Sequence, residues 1–358
     1  MPLTLRVPAA PGEAPPRPAR STAGRRTGLV LVLLAVVALT CLASVLIGSK
    51  HVPPGEALRA LTGDRSGDAL LVAELRFPRT LLGLLVGIAL GVAGTLAQEL
   101  TRNPLGDPGL LGISAGAALA VATSIGVFGL TSPYQYVWFA FLGAALAGAL
   151  VYAIGGAARA SASRGGTSPV KLALAGAAVT ALLMSLTNAL VLLDVRTLDQ
   201  YRFWAVGSLA GRDGDLAGQL SPFVLAGLLL VAFITPRLNA LALGDDLAGS
   251  LGVRVGTTRL LGAVGVILLT GAAVAAAGPV TFVGLVVPHL VRTFTGPDLR
   301  WLLPGSALAG AALLLGADTL GRLLDHPGEV QAGVVTAMIG APFLIMLVKR
   351  GRFREQTR

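Results

Sequence analysis

Long apolar runs recur along this chain and alternate with short polar stretches, from Gly28 nearly to the carboxyl terminus. Each run holds about 17 to 25 mostly apolar residues, the length at which a helix crosses a hydrocarbon layer roughly 30 Å thick. The pattern therefore predicts about ten membrane-spanning helices. They are expected near residues 28–47, 80–99, 109–130, 137–158, 170–193, 219–235, 258–277, 281–294, 301–320 and 331–348.

The composition favours lipid over water as the solvent of this chain. Of the 358 residues, 54% are hydrophobic and 13% are charged, and the mean hydropathy is +0.76. Soluble domains carry about 25% charged residues. The 47 glycines suit membrane helices that pack backbone to backbone. We expect an all-α integral membrane protein, in which the single cysteine, Cys41, forms no disulfide within the chain.

Both ends of the chain are basic and polar. Residues 1–27 combine six prolines with five arginines, which predicts a disordered tail because such a segment buries little apolar surface. Residues 28–348 form a single transmembrane domain, and residues 349–358 form a second basic tail. Lysine and arginine are concentrated in the loops on the side of these tails, and positively charged loops stay in the cytoplasm. We therefore expect a multi-pass protein of the plasma membrane with both termini cytoplasmic.

The chain lacks the residues that several classes of protein need for their function. The net charge of +10 resides at the ends of apolar runs, without the interleaved aromatics of a nucleic-acid surface, so no nucleic-acid partner is expected. The three lysines follow Ser49, Val170 and Val348, so the Gly-Lys pair of a phosphate-binding loop is missing. The chain is thus not expected to hydrolyse ATP or to be an enzyme. It also lacks the series of intramembrane carboxylates and histidines that a proton-driven carrier needs.

Charged residues at one edge of the predicted bundle carry the first functional hypothesis. Arg76 and Arg79 precede the second span, and Arg322 ends the ninth on the same side. Arginines at a membrane edge either extend to the lipid headgroups or bind the carboxylates of an acidic partner. Asp318 lies inside a span, where a carboxylate has a partner or a role in a pathway. Its expected partner is Arg322, one helical turn away.

Two proline-containing motifs favour structural roles. Asn103 and Pro104 lie in a turn after the second span, where Asn103 and Asp107 are available to cap the backbone. Pro288 and His289 interrupt the eighth span. His289 without a nearby cysteine, aspartate or second histidine makes a poor metal site, so no metal is expected and a hydrogen-bonded structural histidine is favoured over a proton carrier.

The longest loop on the side of the tails, from Pro236 to Arg259, is too polar to span the membrane. Its leucines predict short helices with one apolar side, separated by glycines. Such an element either lies on the membrane surface or presents a knob to a soluble protein. The candidate contact residues are Leu241, Leu243, Gly244, Asp245, Asp246, Leu247, Ser250, Leu251, Gly252 and Val253.

Five segments together resemble one known family. They read RFPRTLLGLLVGIALGVAGTLAQELTRNPLGDPGLLGISAGA, LALGDDLAGSLGV, GPVTFVGLVVPHLVR, LLPGSALAGA and AGVVTAMIGAPFLIMLV, and they cover about residues 70–348 in order. In these segments the chain resembles the FecCD/BtuC-type permeases of bacterial ABC importers for iron chelates and vitamin B12. The resemblance implies a BtuC-like bundle of ten helices in the cytoplasmic membrane of a bacterium.

The same resemblance implies partners. A second permease subunit, either a copy of this chain or a paralogue, would complete a central pathway. Two cytoplasmic ATPase subunits would hold ATP and Mg, a solute-binding protein would dock outside, and this chain itself would bind no cofactor. Arg76, Arg79 and Arg322 would meet acidic residues of the binding protein, and the loop from Leu241 to Val255 would seat in the ATPase.

The resemblance also implies that the fifth span lines the pathway, with the stretch from Asp194 to Asp215 near its mouth. A bulky chelate needs a wide passage with small neutral side chains. The fifth span offers such residues at Ala173, Gly176, Ala177, Ala178, Thr180 and Ser185. The segment RTLDQYRFWAVGSLAGRD resembles permeases for ferric siderophores, including catecholate types, more than those for B12. The same lining would also admit cobalamin or haem.

Two other classes stay open on the residues alone. A secondary carrier or passive channel would work without an ATPase, and a membrane scaffold would not transport at all. Purification of the chain together with an ATP-hydrolysing subunit would separate the importer from both.

Overall fold

The computed structural model describes residues 22–48, 50, 52–157, 169–212, 214–325 and 328–349. Residues 1–21 of the first predicted tail and residues 350–358 of the second lie outside the described residues. The described residues form helices joined by turns, with no strand among them. The helices are α1 (Thr22–Leu46), α2 (Pro54–Leu61), α3 (Gly67–Leu71), α4 (Phe77–Thr101), α5 (Ile113–Gly126), α6 (Pro133–Ala157), α7 (Pro169–Leu193), α8 (Val195–Ala205), α9 (Gly214–Leu241), α10 (Asp245–Ser250), α11 (Val255–Ala277), α12 (Val283–Thr295), α13 (Leu299–Leu324) and α14 (Ala332–Lys349).

The predicted all-α bundle is confirmed. Among the described residues, seven helical stretches are long and apolar enough to cross a membrane, and they coincide closely with α1, α6, α7, α9, α11 and α13 and include α4. Three shorter apolar helices, α5, α12 and α14, account for the other predicted spans. Helical period and apolar run length are local properties, which explains why these ten helices could be placed from sequence.

Three helices form the centre of the bundle. In their most apolar stretches, 78% of the residues of the segment ending in α4, 72% of α11 and 61% of α13 are buried, against 6% for α1 and 22% for α7. Glycines allow this close packing, because a Cβ at Gly87 would overlap the backbone of Ala311 and one at Gly91 would overlap Ser306. The centre is therefore held by backbone contact between α4 and α13.

Helices α5 and α12 are only 14 and 13 residues long. Each begins after a residue in the left-handed region, Gly112 at φ 75° and Phe282 at φ 69°. A 3-10 turn, Pro108–Leu111, leads into α5, and Pro108 lies against Gly284 at the start of α12. Irregular backbone at membrane depth is tolerated where protein surrounds it. The predicted span 109–130 was too long, because the left-handed Gly112 cannot be read from hydropathy. The short predicted span 281–294 agrees with α12 to within two residues at each end.

Several boundaries differ from the prediction. Helix α1 begins at Thr22, inside the segment predicted to be a tail, and α9 continues through Pro236 to Leu241. Leu238 and Leu241 are buried in the bundle, and this packing offsets the loss of a backbone hydrogen bond at the proline. The predicted loop from Pro236 is therefore shorter and starts after Leu241. Helices α2, α3 and α8 were not predicted, since short connecting helices carry no spanning signal.

Candidate functional site

A cluster of charged side chains is buried where α1 ends and α4 begins. Asp318 of α13 is 1% exposed and accepts hydrogen bonds from Arg79 Nη2 at 2.8 Å and from Arg322 Nη2 at 2.9 Å. Arg79 Nη1 donates to Glu329 Oε2 at 2.7 Å. The pair of Asp318 with Arg322 is the one-turn pair that the sequence predicted. We call Arg76, Arg79, Asp318, Arg322 and Glu329 the arginine cluster, and this end of the bundle the Asp318 end.

Two of these arginines cap the last turn of α1. Arg76 Nη1 donates to the carbonyls of Val45 and Leu46 at 3.1 and 2.7 Å. Arg322 Nη1 donates to the carbonyls of Ser44 and Ile47 at 2.8 and 2.6 Å. The last carbonyls of a helix have no partner within the helix and need external donors. The two guanidinium groups supply these donors and join α1 to α4 and α13.

The predicted docking arginines therefore do not stand free on the surface. Arg76 and Arg322 are 7% and 2% exposed, and their guanidinium groups already have internal partners. Burying a guanidinium without partners is costly, so once buried each of these groups recruits carbonyls and carboxylates. Arg79, whose side chain is 12% exposed, reaches Glu329 at the edge of the cluster. The cluster borders a cavity of about 410 Å³, which Lys50 and Arg212 also line.

Helix α10 lies at the opposite end of the bundle, called here the Asp245 end. Asp245, its first residue, accepts from Arg102 Nη2 at 2.5 Å and from Arg259 Nη2 at 3.0 Å. Gly244 and Gly252 bracket the helix at φ 108° and 81°, which a residue with a side chain rarely adopts. The two glycines allow a sharp turn on each side of α10, so the helix stands between α9 and α11 as a separate element.

The residues predicted to contact an ATPase are divided by this arrangement. Leu241 is buried at the end of α9, which corrects its assignment to an exposed knob, and packing of α9 explains the difference. Leu243, Leu247 and Leu251 are large, apolar and exposed around α10. Exposed apolar groups of this kind mark contact surfaces when they cluster. The other predicted residues lie in the same segment: Gly244, Asp245, Asp246, Ser250, Gly252 and Val253.

The turn after α4 holds its predicted capping residues in structural contacts. Asn103 Oδ1 accepts from the backbone of Leu105 at 2.9 Å, one residue past Pro104. Asp107 Oδ1 accepts from the backbone of Gly109 at 2.7 Å and caps the 3-10 turn. Burial raises the pKa of the Asp107 carboxyl, and the hydrogen bond from Gly109 opposes that shift. These side chains therefore shape the entry to α5.

Pro288 and His289 are both buried within α12. The His289 ring meets the Phe343 ring edge to face, with 6.2 Å between the ring centroids. No group of three histidine, cysteine, aspartate or glutamate side chains suited to a metal ion occurs in the part of the chain described by the structure. The packing of His289 against α14 fits a structural role.

Helix α7, the fifth predicted span, presents a wide open face. Ala173, Ala177 and Ser185 are exposed on it, and Thr180 is half-buried. Gly176 is buried, and its assignment to the pathway stays a prediction. Its position follows from the helical period, since it falls on the same face as the buried Leu172 and Val179. In the stretch that follows α7, Val195–Ala205 forms α8, whose amino end Asp194 caps.

Sequence reasoning missed five charged residues at the two ends of the bundle. They are Glu99, Arg212, Arg259, Arg292 and Glu329. A signal existed for Arg259, because an arginine in the first turn of a span needs a partner. The others have partners far away in the chain, so nothing local indicates them.

Comparison with known proteins gives, along nearly the whole chain, the same family that the sequence segments resemble. The pattern of the FecCD transport family matches residues 34–350. The ferric enterobactin transport system permease protein FepD of Escherichia coli (strain K12) is 45% identical over 325 residues, which is 90% of this chain and 94% of that protein. The probable siderophore transport system permease protein YfiZ of Bacillus subtilis (strain 168) is 40% identical over 90% of this chain and 96% of its own.

A solved structure has the same fold. It shows an ABC transporter of metal-chelate type in an inward-facing conformation, and it superimposes with a TM-score of 0.78 at 27% identity. The superposition covers 90% of this chain and 99% of that one. The chain belongs to the FecCD transport family.

Proposed function

We propose that this chain is the membrane-spanning permease subunit of a bacterial ABC importer that moves a ferric siderophore into the cytoplasm. The chain would supply the pathway across the membrane. A separate ATPase would hold ATP and Mg, and an extracytoplasmic protein would deliver the chelate. In this proposal the protein lies in the cytoplasmic membrane with the Asp245 end and both termini inside.

The observation that carries the proposal is full-length similarity to a permease named for ferric enterobactin, at 45% identity. Similarity over 90% of the chain extends to both the Asp318 end and the Asp245 end, where partners would bind. The open face of α7 supports a second permease subunit across a shared pathway, because small and polar side chains on a membrane helix need a partner or water.

Uptake in cells tests the substrate. Cells that lack this chain should lose accumulation of labelled ferric siderophores, and restoring the chain should restore it. Cobalamin and haem serve as parallel substrates in the same cells. Loss of cobalamin or haem uptake, with siderophore uptake intact, would assign the pathway to that other chelate. Siderophore uptake that continues without any ATPase subunit would favour a secondary carrier or channel.

Contact between α10 and the ATPase gives a mutational prediction. Leu247→Asp should lower recovery of the ATPase with the permease by about tenfold or more, because an exposed apolar anchor in an interface carries much of its energy. Leu247 is 58% exposed, so its replacement leaves the bundle packed. The measurement is co-purification in detergent. Leu58→Asp is the matched control, since Leu58 is 64% exposed on α2 at the opposite end and should change nothing.

Docking of the binding protein at the Asp318 end gives a second mutational prediction. Arg79→Gln should weaken affinity for the binding protein by about tenfold or more, since truncating one partner of a charge pair is costly. Arg65→Gln, on the same end and in an exposed pair with Glu74, is the control. Affinity for the unchanged permease should also fall with rising salt, because salt screens ion pairs. If neither Arg79→Gln nor a higher salt concentration changed the affinity for the binding protein, the arginine cluster would not be part of this interface.

A further inference from the structure

The last turn of α4 joins helices that come from distant parts of the chain. Gln98 Nε2 donates to the carbonyls of Gly284 and Leu285 in α12, at 3.4 and 3.2 Å. Arg292, also in α12, donates from Nη2 to Glu99 Oε1 at 2.7 Å. Two consecutive residues of α4 therefore hold α12 by polar contacts. A helix tied in this way moves with its neighbour.

Arg102, which follows α4 directly, contacts α9 and α10 instead of α12. Its backbone is left-handed at φ 48°, a conformation that residues with a Cβ avoid unless their surroundings hold them in it. Here the side chain donates to the carbonyl of Leu241 at the end of α9 and to Asp245 of α10. Asp245 also accepts from Arg259 of α11, which is 7% exposed.

Polar side chains, more than apolar packing, connect α10 to α4. Among the six residues of α10 only Ala248 is buried. A cavity of about 710 Å³ opens beside α10, lined by Glu99, Arg102, Arg259 and Arg292 and reaching Gly244, the residue before α10. Asp245 is the residue of α10 that forms ion pairs among the described residues, and its neighbour Asp246 forms none there.

We propose that Asp245 is the positioning residue that carries movement of α10 into the membrane helices. Its pair with Arg102 moves the end of α4, and Glu99 passes that movement to α12 through Arg292. Its pair with Arg259 moves α11 at the same time. This relay rests on the proposed function, in which a soluble ATPase pushes on α10. It assigns the link between the subunits to a few named side chains.

The test compares Asp245→Asn with Asp246→Asn in the complete transporter reconstituted in liposomes. Both changes remove one charge from the same short helix. We expect Asp245→Asn to lower the amount of siderophore moved per ATP hydrolysed by at least about fivefold, as expected for loss of coupling between two sites. Asp246→Asn, which removes a charge from the same candidate contact segment without breaking an ion pair among the described residues, should lower this ratio clearly less than Asp245→Asn does. Asp245→Glu should restore most of it, and Glu99→Gln should lower it as Asp245→Asn does.

Each result decides between defined alternatives. Equal ratios for the Asp245→Asn and Asp246→Asn transporters would overturn the relay. Loss of ATPase binding in the Asp245→Asn complex, measured by co-purification, would also overturn it, because Asp245 would then belong to the contact surface itself. Failure of the unchanged transporter to couple ATP hydrolysis to siderophore uptake would instead overturn the proposed function.

Discussion

The Asp318→Asn chain should unfold in detergent at a much lower temperature than the unchanged chain. Asparagine keeps the size of the side chain but removes the charge that pairs with both Arg79 and Arg322. Removing one partner of a buried ion pair leaves an uncompensated charge and costs about 3–5 kcal/mol. Because Arg322 also caps α1, the loss should extend to the contact between α1 and the bundle.

A nearby carboxylate provides the control. Asp325 follows the same helix and is exposed, so Asp325→Asn should unfold close to the temperature of the unchanged chain. The measurement is the unfolding midpoint of each purified chain under one detergent condition. If Asp318→Asn unfolded no earlier than Asp325→Asn, the buried cluster would contribute little to the stability of the fold.

Replacing Gly94 by valine should prevent α4 and α12 from packing. A Cβ at Gly94 would overlap the backbone of Gly284, which cannot move aside as a flexible side chain could. Overpacked side chains in ordinary cores cost about 1–3 kcal/mol, and a clash with backbone should exceed that range. We expect little folded protein in the membrane and a sharply lower unfolding midpoint for the protein recovered.

Gly316→Val is the matched control for that substitution. Gly316 lies in the central helix α13, and a Cβ there would meet no atom within 4 Å. Its expression and unfolding midpoint should therefore stay near those of the unchanged chain. Comparable losses in the two variants would mean that helix propensity, and not contact with α12, explains the effect at Gly94.

For the arginine cluster, the sequence predicted the position of the three arginines correctly but not their contacts within the chain. Arg76 and Arg322 lie at the predicted end of the bundle, but they hold α1 in place by its carbonyl groups. Arg79 is the member that reaches Glu329 at the edge of the cluster. A docking partner would therefore act first on Arg79, and any role of the other two would pass through the cluster.

Pairs close in the chain could be predicted, and distant pairs could not. Asp318 and Arg322 are one helical turn apart, so the helix alone brings them together. Arg79 and Glu329 are 250 residues apart, and only the packing of α4 beside α13 brings them within reach. The same limit applies to Arg102 with Asp245 and to Arg292 with Glu99.

The sequence by itself determined the membrane environment, the ten apolar helices and the candidate segments at each end, because hydropathy and helical period depend on neighbouring residues. Only the tertiary structure decided that Arg76 and Arg322 are buried caps of α1, that Gly176 is buried, and that α5 is short. These features depend on which helices meet across the bundle. The packing of the helices decides which side chains become partners, because it brings together residues that are hundreds of positions apart in the chain.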